Sequence, residues 1–261
     1  MRACLLFVIG FVVTGCWTTP ERNWPFPEVD APDEATVLRI IEERSRPPKS
    51  AYAEIAMSFE SKERSGVVDT VVQMVPGSGL RMTAIKDVFV ATRPIFDILV
   101  RANRFELHLW PEDGPAERHA GRLEELAGIH DALFAFAVLR ERLFAPGRGF
   151  GRGERVVRID DDRVLIDDHG DEEFSVRWTL DSRTLGVERV DIWSPRRSKK
   201  VSVVFTSYRD VDGRFVPEAF RIEDGEKRFS VEGVLRDLEL DLDPVELDFE
   251  LLPFEDEEGQ S

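Results

Sequence analysis

Residues 173–180 read EFSVRWTL: Phe174, Val176, Trp178 and Leu180 fall on one side of an extended chain, and Glu173, Ser175, Arg177 and Thr179 on the other. A period of two marks a strand with one buried and one solvated face. The pattern recurs where Phe105, Leu107 and Leu109 alternate with Arg104, Glu106 and His108. It returns in Phe229-Val231 with Leu235, in Leu238-Leu240-Leu242, and in Val245-Leu247-Phe249-Leu251, which reads as part of a final hairpin. Asp-Gly pairs at 113–114, 212–213 and 224–225 supply turns between strands. From Ala51 onward the chain reads as a meander of antiparallel strands with one apolar face.

Such a face needs a cover. Two helical segments offer one. Asp33 is placed to cap a helix over 34–45 whose apolar face is Val37, Leu38 and Ile41, widened by Ile40; Arg46-Pro47-Pro48 ends it. The second runs over 123–144 and is very apolar, with Leu123, Leu126, Leu133, Phe134, Phe136, Ala137 and Leu143; Gly128 makes two shorter helices as plausible as one. The fold expected is mainly β with helices (α+β): a strongly curved antiparallel sheet forming an incomplete β-barrel under a helical lid. Phe105, Leu107, Leu109, Phe174, Val176 and Trp178 are its expected inward lining, and Phe134, Phe136 and Phe144 belong to the lid. Alternation alone does not separate an open cavity from a core that these nine side chains fill.

The N-terminus reads as an address. Arg2 precedes the apolar run Leu5–Val13, too short to span a bilayer and suited to a signal peptide. Val13-Thr14-Gly15-Cys16 looks like a bacterial lipobox, which implies cleavage after Gly15 and lipidation of Cys16; an ordinary secretory signal is the alternative. Trp17, rather than Asp, after the cysteine resembles outer-membrane sorting. Residues 1–15 are then the signal peptide, 16–32 a lipidated cysteine and proline-rich tether, 33–254 one domain, and 255–261 an acidic tail. Trp17 and Trp24 on the tether suit either the lipid interface or packing against the domain.

Charge narrows the function. A net charge of −16 over 261 residues argues against a nucleic-acid binder, because affinity for phosphates needs cations. Cys4 and Cys16 leave the body without thiol chemistry. His108, His119, His130 and His169 are scattered, with no HExxH, no paired cysteines and no G-x-S-x-G elbow, so neither a catalytic group nor a metal or cofactor is expected. Asp160-Asp161-Asp162 and Asp167-Asp168 lack EF-hand spacing. Glycines at 147, 149, 151 and 153 form a flexible junction without a Walker lysine. Arg196, Arg197, Lys199 and Lys200 make a basic knot that suits anionic headgroups or balances nearby acids. Trp110, at the end of its strand and opposite Phe105, is a candidate membrane or partner contact.

The order of features resembles the LolA/LolB-like superfamily of bacterial lipoprotein carriers and receptors over about residues 33–253. The resemblance is carried by an N-terminal helix, then Tyr52–Phe59, Thr70–Val75 and Leu80–Val90. It continues through Pro94-Ile95-Phe96-Asp97-Ile98-Leu99-Val100, Asn103 to Trp110, Leu180-Asp181, Arg183-Thr184-Leu185, and Phe205 to Ile222 with Tyr208, Asp212-Gly213 and Pro217. It implies an acyl chain, lipid or lipoprotein held in an apolar cavity, and Cys16 places the chain with the anchored, receptor-like half, on the outer membrane facing the periplasm. An alternative from another class is a structural or interaction lipoprotein with a filled core that binds another envelope component.

Overall fold

The computed structural model describes residues 24–251 except 45, 62–64, 89–90, 112–113, 127–129, 131, 136, 138–143, 145–154, 169–174, 195–198, 226–228, 244–246 and 248. Helix α1 (Glu34–Arg44) leads into strands β1 (Ala51–Ser61), β2 (Ser65–Val75), β3 (Gly79–Val88), β4 (Ala91–Arg101), β5 (Arg104–Leu109) and β6 (Glu117–Arg122). A one-turn helix α2 (Leu123–Leu126) follows. Then come β7 (Arg155–Ile159), β8 (Arg163–Asp168), β9 (Ser175–Asp181), β10 (Val187–Ser194), β11 (Lys199–Val211), β12 (Arg214–Asp224) and β13 (Phe229–Leu240).

All thirteen strands join one sheet in the order β6-β5-β4-β3-β2-β1-β13-β12-β11-β10-β9-β8-β7. Among the described residues the strand pairings are antiparallel, as between β1 and β2 or β11 and β12. Each half is a meander of sequential neighbours, and among the described strands β1 with β13 is the single long-range join. The incomplete barrel expected from the sequence is therefore incorrect. The sheet is open and not strongly curled: β6 and β7 stand at opposite edges, and no strand among the described residues bridges them. Closure removes edges by pairing them, whereas here the apolar face is buried by segments laid across it.

The turn chemistry behaves as the sequence indicates at Asp212-Gly213, where φ values of 53° and 79° suit the two-residue hairpin joining β11 to β12. After β9, Asp181 Oδ1 accepts from the backbone N–H groups of Arg183 (3.1 Å) and Thr184 (2.7 Å), and this holds the chain for its return into β10. The expected final hairpin lies partly outside the described residues, at 244–246 and 248; β13 ends at Leu240, and 247 and 249–251 carry no strand. Asp241 explains the stop. Its φ is +61°, its N–H donates to Ser50 O, and its carboxylate takes the Lys49 N–H at 2.6 Å and Arg214 at 2.8 Å.

Helix α1 starts where Asp33 Oδ1 accepts the Thr36 N–H at 2.8 Å, the N-cap geometry; Val37 and Ile41 are its buried residues. In the expected 123–144 cover, α2 and residues 132–135 are helical, as is the position of Phe144. Backbone bonds from His130 to Leu126 and from Phe134 to His130 connect the first two.

Candidate functional site

The pairing register defines one continuous apolar face. Leu107, Ile98, Met82, Val72, Ala53 and Leu238 form one row across six strands. Val157, Ile166, Trp178, Val190, Val203, Ile222, Val231 and Phe59 form another, reaching from edge strand β7 to β1. These side chains, with Phe134 and Phe144, belong to one hydrophobic cluster or lie at its rim. Trp178 and Leu107 are fully buried and Phe134 is 1% exposed.

Of the expected lining residues, Phe105, Leu107, Val176 and Trp178 are buried on this face, and Leu109 is half-buried against it. The two groups do not converge on one spot, because β5 and β9 stand nine positions apart in the sheet. Phe134 and Phe144 are buried in the cover. Cys16, Phe174, Phe136, Arg196 and Arg197, and the side chain of Lys199, lie outside the described residues. Trp110 is half-buried, donates its backbone N–H to Ile95 O, and meets the His108 ring edge-on at 5.9 Å. Lys200 Nζ sits 3.4 Å from Asp191 Oδ2 and 5.5 Å from the centre of the Trp193 ring.

The segment before α1 adds a cover that strand and helix periodicity does not register. Trp24 and Phe26 pack on Tyr208 at 5.4 and 4.8 Å, and Phe26 on Phe215 at 4.5 Å. The Arg44 guanidinium lies 5.0 Å over Phe26 and donates to Thr184 O at 2.6 Å. Burial pulls the Arg44 pKa below its ordinary value. Val29 N–H donates to Arg183 O at 2.6 Å. Gly186 is required beneath this strap, since a Cβ there would stand 2.5 Å from Trp24 and 2.7 Å from Phe26. Tyr208 donates its hydroxyl to Val187 O, and its burial raises its pKa well above the ordinary value. The signal for this strap was the aromatic spacing Trp24-Pro25-Phe26-Pro27.

The opposite face carries two polar nests. Fully buried Asp97 receives Arg81 through two bonds of 3.1 and 2.9 Å and the Thr83 hydroxyl at 2.8 Å. His108, its cross-strand neighbour, is buried too; its Nε2 lies 3.7 Å from Glu106, which also binds Arg118. In the other half Asp167 binds Arg158 and Arg177, and Asp191 binds Arg189, Lys200 and Ser202. Burial opposes ionisation of Asp191. The bonds from Ser202 and Arg189, with the charges of Arg189 and Lys200, outweigh it and hold the pKa below its ordinary value.

In these nests each carboxylate is paired with at least one cation. Among the described residues no three His, Cys, Asp or Glu side chains are grouped to hold a metal ion. A groove of about 470 Å³ at one end of β1, β2 and β13 has a mixed lining, with Phe59 and Val67 beside Ser58, Glu60, Ser65, Gly66, Ser230 and Glu232. No described helix is long and apolar enough to cross a membrane.

No family model matches the chain, and none of the curated proteins does. Solved structures do. A LolA superfamily protein from Nitrosomonas europaea superposes with a TM-score of 0.55 at 13% identity, covering 82% of this chain and 96% of that one. The chain shares the fold of that protein. A DUF1329 family protein from Desulfovibrio piger superposes with a TM-score of 0.55 at 12% identity, covering 82% of this chain and 94% of that one.

Proposed function

We propose that this chain is a lipid-anchored protein of the outer membrane, facing the periplasm, that binds an acyl chain, a lipid or a lipoprotein against the apolar face of its sheet. The observation that carries this reading is an uninterrupted apolar face covered by segments from outside the sheet: α1, the described helical residues of the 123–144 stretch and the strap at 24–29. A cover that is not hydrogen-bonded into the sheet can part locally without unfolding the strands beneath it. An alkyl chain laid on Leu107, Phe105, Val176 or Trp178 gains about 25 cal/mol per Å² of apolar area removed from water, and no catalytic group is needed. Phe134, Phe136 and Phe144 are the lid in this proposal, Leu109 and Phe174 extend the lining, and diacylglycerol on Cys16 is the anchor. More than one acyl chain gives anchoring that a single chain does not.

A second reading is favoured by the burial of Trp178 and Phe134 in the closed arrangement: a filled core, with the protein acting as an interaction lipoprotein for another envelope component. The native mass of a Cys16→Ser chain purified from its own periplasm separates the two. A co-purifying fatty acid or phospholipid supports acyl binding. A clean apo mass, with no uptake of an environment-sensitive acyl probe, supports the filled core and ends the carrier reading.

A further inference from the structure

The apolar row that runs from Leu107 to Leu238 has a neighbour on the same face. Leu109, Phe96, Ala84, Thr70, Ile55 and Leu235 follow one another across β5, β4, β3, β2, β1 and β13. Thr70 is the single polar side chain in either row. Strand β2 alternates regularly at this point, and Thr70 is buried on the core side in series with Val68, Val72 and Met74. It is 1% exposed, and its Oγ1 is sealed from solvent with no hydrogen-bond partner among the described residues.

Packing gives no reason for that hydroxyl. A buried donor left unmade costs free energy, and an apolar group of the same shape removes the cost. Valine has that shape and stands on the same face at 68 and 72. Buried side-chain polar atoms are satisfied in the large majority of cases, so one that is not calls for a cause. Fully buried Ala53 and Ala84, on the strands to either side of β2, keep the face low beside Thr70. A ligand lying in that low strip brings its own acceptor within reach of the hydroxyl.

We infer that the Thr70 hydroxyl seats the neutral carbonyl of an acyl ester, and that the face takes an acyl ester in preference to a free fatty acid. The inference rests on the acyl-binding function proposed above and names the chemical class of its ligand. An ester carbonyl accepts a hydrogen bond without bringing charge. A carboxylate at the same place would be buried among Ile55, Ala84, Val68 and Val72, which offer no cation to balance it. A fatty acid therefore binds through its chain alone, with its carboxylate left at the water boundary, and more weakly than the ester.

The test uses the Cys16→Ser chain and displacement of an environment-sensitive acyl probe, below the concentrations at which the competitors aggregate. The competitors are monolauroylglycerol, its ether counterpart dodecylglycerol, which lacks only the carbonyl, and laurate. The Cys16→Ser parent is expected to bind the ester roughly tenfold more tightly than the ether, the worth of one hydrogen bond in a dry site, and more tightly than laurate. Thr70→Val, added to the parent, lowers the ester affinity to that of the ether and leaves the ether affinity unchanged, whereas Thr70→Ser keeps the preference. If Thr70→Val does not keep the parent's circular dichroism, Thr70→Ala replaces it, and the ratio of ester to ether affinity is read instead. Equal binding of ester and ether by the parent, laurate as tight as the ester, or a folded Thr70→Val or Thr70→Ala chain that still prefers the ester overturns the assignment and leaves acyl binding standing. A parent that takes up neither the probe nor any competitor ends both.

Discussion

Asp97 shows how a single carboxylate shapes its neighbourhood. It is buried on the face of the sheet away from the main core, and its two oxygens are taken up by Arg81 and Thr83. Such a fork is favourable only while both partners are present, because either one alone is an uncompensated buried charge. Asp97→Ala is expected to cost about 3–5 kcal/mol in urea unfolding; a loss below about 1 kcal/mol would show that water reaches Arg81 and that the nest is not sealed. Asp191 bears on pH. Its folded pKa lies below its ordinary value of 3.8, so its stabilising contribution is complete above that value and is lost as pH falls through the folded pKa. In acid titrations monitored by circular dichroism, Asp191→Asn should be less stable than the wild type at neutral pH and lose less on acidification below about pH 3.8. Parallel curves would mean that Asp191 does not contribute to the acid limb.

Among the elements, the strap before α1 makes the clearest demand. Phe26 is wedged between Tyr208, Phe215 and the Arg44 guanidinium. Phe26→Ala should therefore cost about 3–5 kcal/mol and open the Trp24–Val29 stretch to protease, read by urea unfolding and limited proteolysis. Unchanged cleavage would detach the strap from the folded body. The strands that could be read from the sequence are those with water on one side: β5 and β9 alternate because Arg104 and Arg177 face out while Phe105 and Trp178 face in. Strand β4 hides its register. Phe96, Asp97, Ile98, Leu99 and Val100 are all buried, so the period of two disappears and a buried carboxylate looks like a surface one. Part of the cause is the chain beyond β13: Leu247 is buried, and Phe249 lies beside Gly79 and accepts from Arg101. Leu247 and Phe249 of the alternating 245–251 stretch take part in this packing, and the described residues of that stretch carry no strand.

At the scale of the whole molecule, an apolar face on thirteen strands is the same in sequence whether the sheet closes on itself or is covered by other segments. Closure was misread for that reason: alternation reports that a face is buried, and the partner of β6 or β7 is a long-range property that no local pattern carries. The candidate lining was legible residue by residue at Phe105, Leu107, Val176 and Trp178, but not its spread across nine strand positions. The central claim is that the cover parts and an acyl chain reaches this face. Trp178, fully buried there among five tryptophans in the chain, is a built-in reporter. In a Cys16→Ser chain whose other four tryptophans are replaced by phenylalanine, a fatty acid brominated along its chain should quench Trp178 fluorescence to saturation near one ligand per protein. An unquenched Trp178, in a protein with wild-type circular dichroism and across ligand concentrations that quench a matched variant retaining only Trp193, would contradict the account.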